Sequence, residues 1–181
     1  MFERRGMPVL YCGVGKVNAA YALTRRLADY RHGGHALPHV INFGTAGSHR
    51  ASDRHRRRVS RIRSARHGCE RARRAARHDA VRCWRAGAPE FPALFAQLTP
   101  AVCGTGDSFA TTQCAVECDV LDMEGYALAK VCWLERTRFT AVKWVTDGAD
   151  HTAGAGPANQ SLHHAAERFL QLYEHLEEKD S

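Results

Sequence analysis

The chain has 181 residues, 44% of them hydrophobic, which suits a single domain with a sizeable core. Its formal charge of +7 is unevenly spread: Arg50 to Arg85 hold fourteen Arg and no Lys against Asp53, Glu70 and Asp79. That local net of +11 leaves the rest of the chain at −4, so the basic character belongs to one segment and does not define the whole protein as a polyanion binder. No charged-then-apolar leader and no apolar run of membrane-spanning length is visible, which predicts a cytoplasmic protein without membrane contact. The seven cysteines form no Cys-x-x-Cys pair and read as reduced, mostly buried apolar residues.

In chain order, Pro8–Tyr11 is a short apolar run that predicts a strand, followed by a tight loop at Gly13 and Gly15 and a helix from Lys16. The helix carries Val17, Ala20, Tyr21, Leu23, Leu27 and Tyr30 as its expected apolar stripe, and Gly33-Gly34 stops it. His39–Phe43 predicts a second buried strand running into a small-residue loop, Gly44–Ser48. Residues 49–90 lack apolar periodicity and turn punctuation, and are expected to be an irregular, disordered or out-of-frame insertion.

Beyond it, AVCGTGDSF predicts a strand ending in a glycine loop, and DVLDMEGYALAKVCWLE a strand that turns into a helix at Met123–Glu124. RFTAVKWVTDGAD predicts a β-branched strand from Phe139 to Val145 ending at Asp147. An amphipathic helix from Asn159 to about Glu177 closes the chain, with Leu162, Ala166, Phe169, Tyr173 and Leu176 on one face. Strands alternating with helices predict an α/β domain with binding loops at strand ends.

Taken together and in this order, GVGKVNAA, VINFGTAGS, CGTGDSFA, VLDMEGYALAKVC and VKWVTDGAD resemble the nucleoside phosphorylase and nucleosidase superfamily. Within it they are most similar to methylthioadenosine/S-adenosylhomocysteine nucleosidases. The likeness covers 1–48 and 91–181 of one domain. It implies a three-layer αβα fold with a mixed sheet, a small-molecule purine nucleoside as substrate, no metal or organic cofactor, and a possible homodimer.

Carried over by motif position, Asp147 resembles the general acid that protonates the purine N7. Glu124 resembles the carboxylate that accepts hydrogen bonds from the ribose 2′ and 3′ hydroxyls. Phe109 resembles the ring stacked on the base, with Ala110 beside the base edge and Met123 beside the sugar. Thr45, Ala46 and Gly47 match the loop under the ribose, and Asp122 is a candidate support for the turn.

At the position where phosphorylases of the superfamily carry an arginine for phosphate stands Asn42, which favours water as the nucleophile over phosphate. Ahead of MFERRG the family's first strand and its glutamate-bearing loop have no counterpart, so the chain reads as truncated at its start and the general base is unassigned. Two readings of other kinds compete. One is nucleic-acid binding through Arg50 to Arg85, which contains only Trp84 as a stacking aromatic. The other is a non-functional gene product.

Overall fold

The computed structural model describes residues 2–48, 56–64, 94–106, 118–148 and 158–180. Five strands are seen: β1 (Val40–Ser48), β2 (Arg56–Ser64), β3 (Thr99–Thr105), β4 (Val120–Asp122) and β5 (Phe139–Gly148). They close on themselves in the order β1-β4-β3-β2-β5. The sheet is mixed: β1 runs parallel to β5 along its whole length, β3 parallel to β2 and β4, and antiparallel pairs join β1 to β4 and β2 to β5.

Among the described residues three α-helices, α1 (Lys16–His32), α2 (Gly125–Glu135) and α3 (Ala158–Asp180), cover the sheet. Alternation along β5 explains their placement, since successive side chains of a strand point to opposite faces. Phe139, Ala141 and Val145 join Ala19, Leu23 and Leu27 of α1 and Leu128, Val131 and Cys132 of α2 in one core. Val142 joins Phe95, Leu98 and Leu172 of α3 in a second core on the other side. The Phe169 ring of α3 stacks on Phe43 of β1 with centroids 4.2 Å apart. Helix, sheet and helix therefore make the three layers expected of this fold class.

The structure corrects three expectations. Pro8–Tyr11 forms no strand. β4 meets β1 only where Gly47 pairs with Leu121, so Pro8–Tyr11, which shares a cleft with His39 and Ile41–Phe43, lies near this stretch without forming a ladder; its first residue, proline, has no N–H to give. On α1 the buried stripe is Ala19, Leu23 and Leu27, whereas Val17 is 82% and Tyr21 64% exposed. Residues two apart on a helix lie about 200° around its axis, so a stripe through 19, 23 and 27 turns 17 and 21 outward.

Gly44–Ser48 is strand, not loop, because β5 continues beside it as far as the pair Ser48 and Gly148. Within the 49–90 segment Arg56–Ser64 is a strand, paired to β3 from Arg57 to Ser64 and to β5 from Arg56 to Val59. Ladder bonds join backbone groups, so this pairing does not require an apolar side-chain pattern. The rest of the 49–90 segment, together with 91–93, lies outside the described residues.

Candidate active site

The DMEG turn organises the site. β4 ends at Asp122 and α2 starts at Gly125, and the first amides of a helix have no partner within it. Asp122 supplies one: its Oδ2 accepts the Gly125 N–H at 2.9 Å. Thr105, at the end of β3, supplies another, its Oγ1 accepting the Tyr126 N–H at 2.9 Å while donating to Asp122 Oδ1 at 2.6 Å. A side chain at Gly125 would meet Asp122 Oδ2 at 2.6 Å, so the turn needs glycine there.

Asp122 also pairs with Lys143 of β5, Nζ to Oδ2, at 2.8 Å, with both side chains almost wholly buried. Burial, the largest single influence, would lower the lysine's pKa, yet attraction and hydrogen bonding to Asp122, with the influence of Cys103 and Glu124, together hold the ammonium above its ordinary value. Gly44 of β1 borders that ammonium, and a Cβ there would stand 3.4 Å from Nζ, an ordinary contact.

Glu124 is half-buried, and its Oε1 accepts the Gly15 N–H at 2.7 Å. Gly15, at φ 91°, caps the N-terminus of α1, where helix dipole and unsatisfied amides both favour a carboxylate. Cys12 lies in the same neighbourhood. Burial and then the charge of Glu124 push its thiol up, away from the thiolate a nucleophile requires. Cys103 is fully enclosed, and burial raises it much further.

The strand register gathers the remaining parts. Gly47 of β1 is paired with Leu121 of β4 on one side and Asp147 of β5 on the other. One strand, β1, thus separates Asp147 from the residues leading into Met123 and Glu124. Pairing passes from Val145 with Ala46 to Asp147 with Gly47, so Thr146 is an extra residue in β5. Such bulges re-aim the side chains beyond them and are common beside active sites.

Ala46 is buried, Gly47 and Met123 are half-buried, and Thr45 is exposed. Phe109 and Ala110 lie outside the described residues. Among the described residues, none of Thr45, Ala46, Gly47, Met123 and Glu124 lines the 850 Å³ cleft formed by Phe2, Met7–Cys12, Ile41–Phe43 and the α3 residues Phe169, Tyr173 and Leu176.

Sequence reasoning missed three participants: Lys143, Thr105 and the Gly15 amide. Lys143 did carry a signal, a single charge inside the β-branched run TAVKWV. A charge at the middle of a buried strand implies a buried partner. Among the described residues no group of three or more His, Cys, Asp or Glu is placed to hold a metal ion, and no helix is long and apolar enough to cross a membrane.

A family model described as the phosphorylase superfamily matches residues 4–177. The chain belongs to the phosphorylase superfamily. No curated protein sequence matches it. Solved structures similar to this superfamily member include the methylthioadenosine/S-adenosylhomocysteine nucleosidase of Campylobacter jejuni, at 15% identity and TM-score 0.70, covering 93% of this chain and 79% of the other. The S-adenosylhomocysteine nucleosidase of Streptococcus pyogenes, crystallised with 5-methylthiotubericidin, is similar at 23% identity and TM-score 0.62, covering 93% and 77%. A futalosine hydrolase mutant of Helicobacter pylori is similar at 18% identity and TM-score 0.64, covering 90% and 77%. At these identities the likeness is one of fold, and it agrees with the mixed sheet and layered helices of this superfamily member.

Proposed function

We propose that the chain is a purine nucleosidase, a cytoplasmic N-ribosyl hydrolase acting on methylthioadenosine or S-adenosylhomocysteine. The observation that carries the reading is the Glu124 carboxylate, held by the Gly15 amide at the N-terminus of α1. It follows the strand β4 that shares Gly47 with Asp147. Solved nucleosidases of similar fold, some holding methylthioadenosine analogues, support the substrate class.

In this mechanism the ribose 2′ and 3′ hydroxyls donate to Glu124, whose anionic charge favours the positive charge growing at the anomeric carbon. Asp147 gives its proton to N7 as the bond between the anomeric carbon and N9 breaks, and the bonding pair passes into the purine. Water adds to the anomeric carbon and loses a proton, giving free base and ribose product. Phe109 stacks on the base, and Thr45, Ala46 and Gly47 lie under the sugar. Asn42, in place of a phosphate-binding arginine, favours water over phosphate.

The test is adenine release by the purified chain from methylthioadenosine and from S-adenosylhomocysteine, followed by chromatography with and without phosphate. Free ribose product in phosphate-free buffer is expected. Release that requires phosphate would make the protein a phosphorylase, and no release of adenine under either condition would end the nucleosidase reading.

A further inference from the structure

Lys143 enters no step of the proposed mechanism, yet it is among the largest fully buried side chains in the structure. A lysine is rarely enclosed unless its charge is satisfied, and here the ammonium meets Asp122 at 2.8 Å. Asp122 in turn holds Thr105 through Oδ1 and the Gly125 amide through Oδ2. The two residues between Asp122 and Gly125 are Met123 and Glu124.

We propose that Lys143 is a positioning residue for Glu124: by anchoring Asp122 from β5 it fixes the turn that presents Glu124 to the Gly15 amide and to the sugar. The placement of Glu124 rests on geometry alone, whereas its use in catalysis rests on the nucleosidase reading.

The geometry supports a division of labour between the two acids. Asp122 is wholly engaged inside the protein, meeting Lys143, Thr105 and the Gly125 amide. Glu124 is half-buried, and its one described hydrogen bond uses Oε1. The charge of Lys143 also reaches Glu124 and Cys103, but its direct contact is with Asp122. The buried cation therefore contacts the enclosed acid, while the half-buried acid is held by the Gly15 amide.

The test compares Lys143→Met and Lys143→Gln with the wild-type full chain, reading amide hydrogen exchange at Gly15 against Leu27 of α1. Leu27, buried in the core, reports overall stability. A positioning role predicts that protection at Gly15 falls at least tenfold more than at Leu27 in Lys143→Met. Lys143→Gln, which keeps a donor without the charge, should show a selective loss of at least threefold. The kcat/KM for adenine release should fall in the same order.

If Gly15 and Leu27 lose protection equally, or Gly15 keeps it, Lys143 serves stability alone and the proposal fails. Should Lys143→Met not fold, Lys143→Gln decides by the same ratio. Wild-type protein that releases no adenine would count against the nucleosidase reading only, because the exchange ratio still decides where Glu124 is held.

Discussion

Lys143 and Asp122 form an ion pair 2.8 Å long whose side chains are 2% and 1% exposed. A pair so enclosed gives little net stability relative to an apolar replacement, but removing one partner leaves a buried charge without compensation. Asp122→Ala is therefore expected to cost about 3–5 kcal/mol, since it strands the Lys143 ammonium and releases Thr105 and the Gly125 amide together. Urea denaturation with the midpoint and slope both recorded measures this. A loss within about 1 kcal/mol would mean that water reaches the pair and satisfies the lysine.

Gly125 is the narrowest point of the same network. A methyl group there would stand 2.6 Å from Asp122 Oδ2, a contact relieved only by moving the carboxylate off Lys143 or the start of α2 off β4. Gly125→Ala should destabilise the protein by about 1–3 kcal/mol, although alanine is the better helix former elsewhere. Thermal unfolding of the variant checks the sign. A rise in Tm would show that the turn relaxes freely and that its geometry is not fixed by Asp122.

Much of this site was legible from residue patterns, and the illegible part has physical reasons. Asp122, Met123 and Glu124 were singled out because VLDMEGYALAKVC resembles a motif of the superfamily; a polar turn between an apolar strand and a helix is generic by itself. The function of the first glycine loop was not, because a backbone amide donated to a carboxylate 109 residues away leaves no trace in local composition. Lys143 was visible as an anomaly, but its partner depended on the pairing of β5 with β1 and of β4 with β3. Pro8–Tyr11 was misread because a short apolar run reports strand propensity without reporting whether its backbone finds a ladder partner.

Glu124→Ala separates binding chemistry from folding. The carboxylate is expected to accept two sugar hydroxyls, and hydrogen bonds to a charged group contribute about 1.5–3 kcal/mol each. Loss of the carboxylate should lower kcat/KM for adenine release by about 10²-fold or more. Since its one described side-chain partner is the Gly15 amide, at the N-terminal end of α1, Tm should change by no more than a few degrees. Equal losses of Tm and activity would assign Glu124 to the fold. Asp147→Asn in the same assay should lower kcat by about 10²- to 10⁴-fold, the usual range for a general acid.

His39 gives the protein an acid-sensitive element. Its Nε2 lies 2.9 Å from Thr140 Oγ1, and burial, followed by the nearby Arg138 charge, lowers its pKa from the ordinary 6.5. The unfolded chain therefore takes up the proton more readily than the folded one. Stability should fall as pH drops below about 6.5 and level off beneath the folded pKa, the direction in which the unfolded state binds more protons. His39→Gln should flatten this part of the curve relative to wild type in unfolding titrations between about pH 7 and pH 5, while a parallel curve would remove His39 as its cause.

The strand within the arginine-rich segment invites the sharpest test of the fold. Arg57, Arg58 and Val59 are paired on both sides, to Thr99, Pro100 and Ala101 of β3 and to Lys143, Val142 and Ala141 of β5. Proline removes a ladder donor and fixes φ, and central strands rarely tolerate it. Val59→Pro should cost about 3 kcal/mol or more and weaken the site as well, because β2 borders the stretch of β5 that carries Lys143. If residues 49–90 were a disordered insertion, the same proline would leave Tm unchanged. A proline in the middle of β2 therefore separates an integral strand from an insertion by one melting curve.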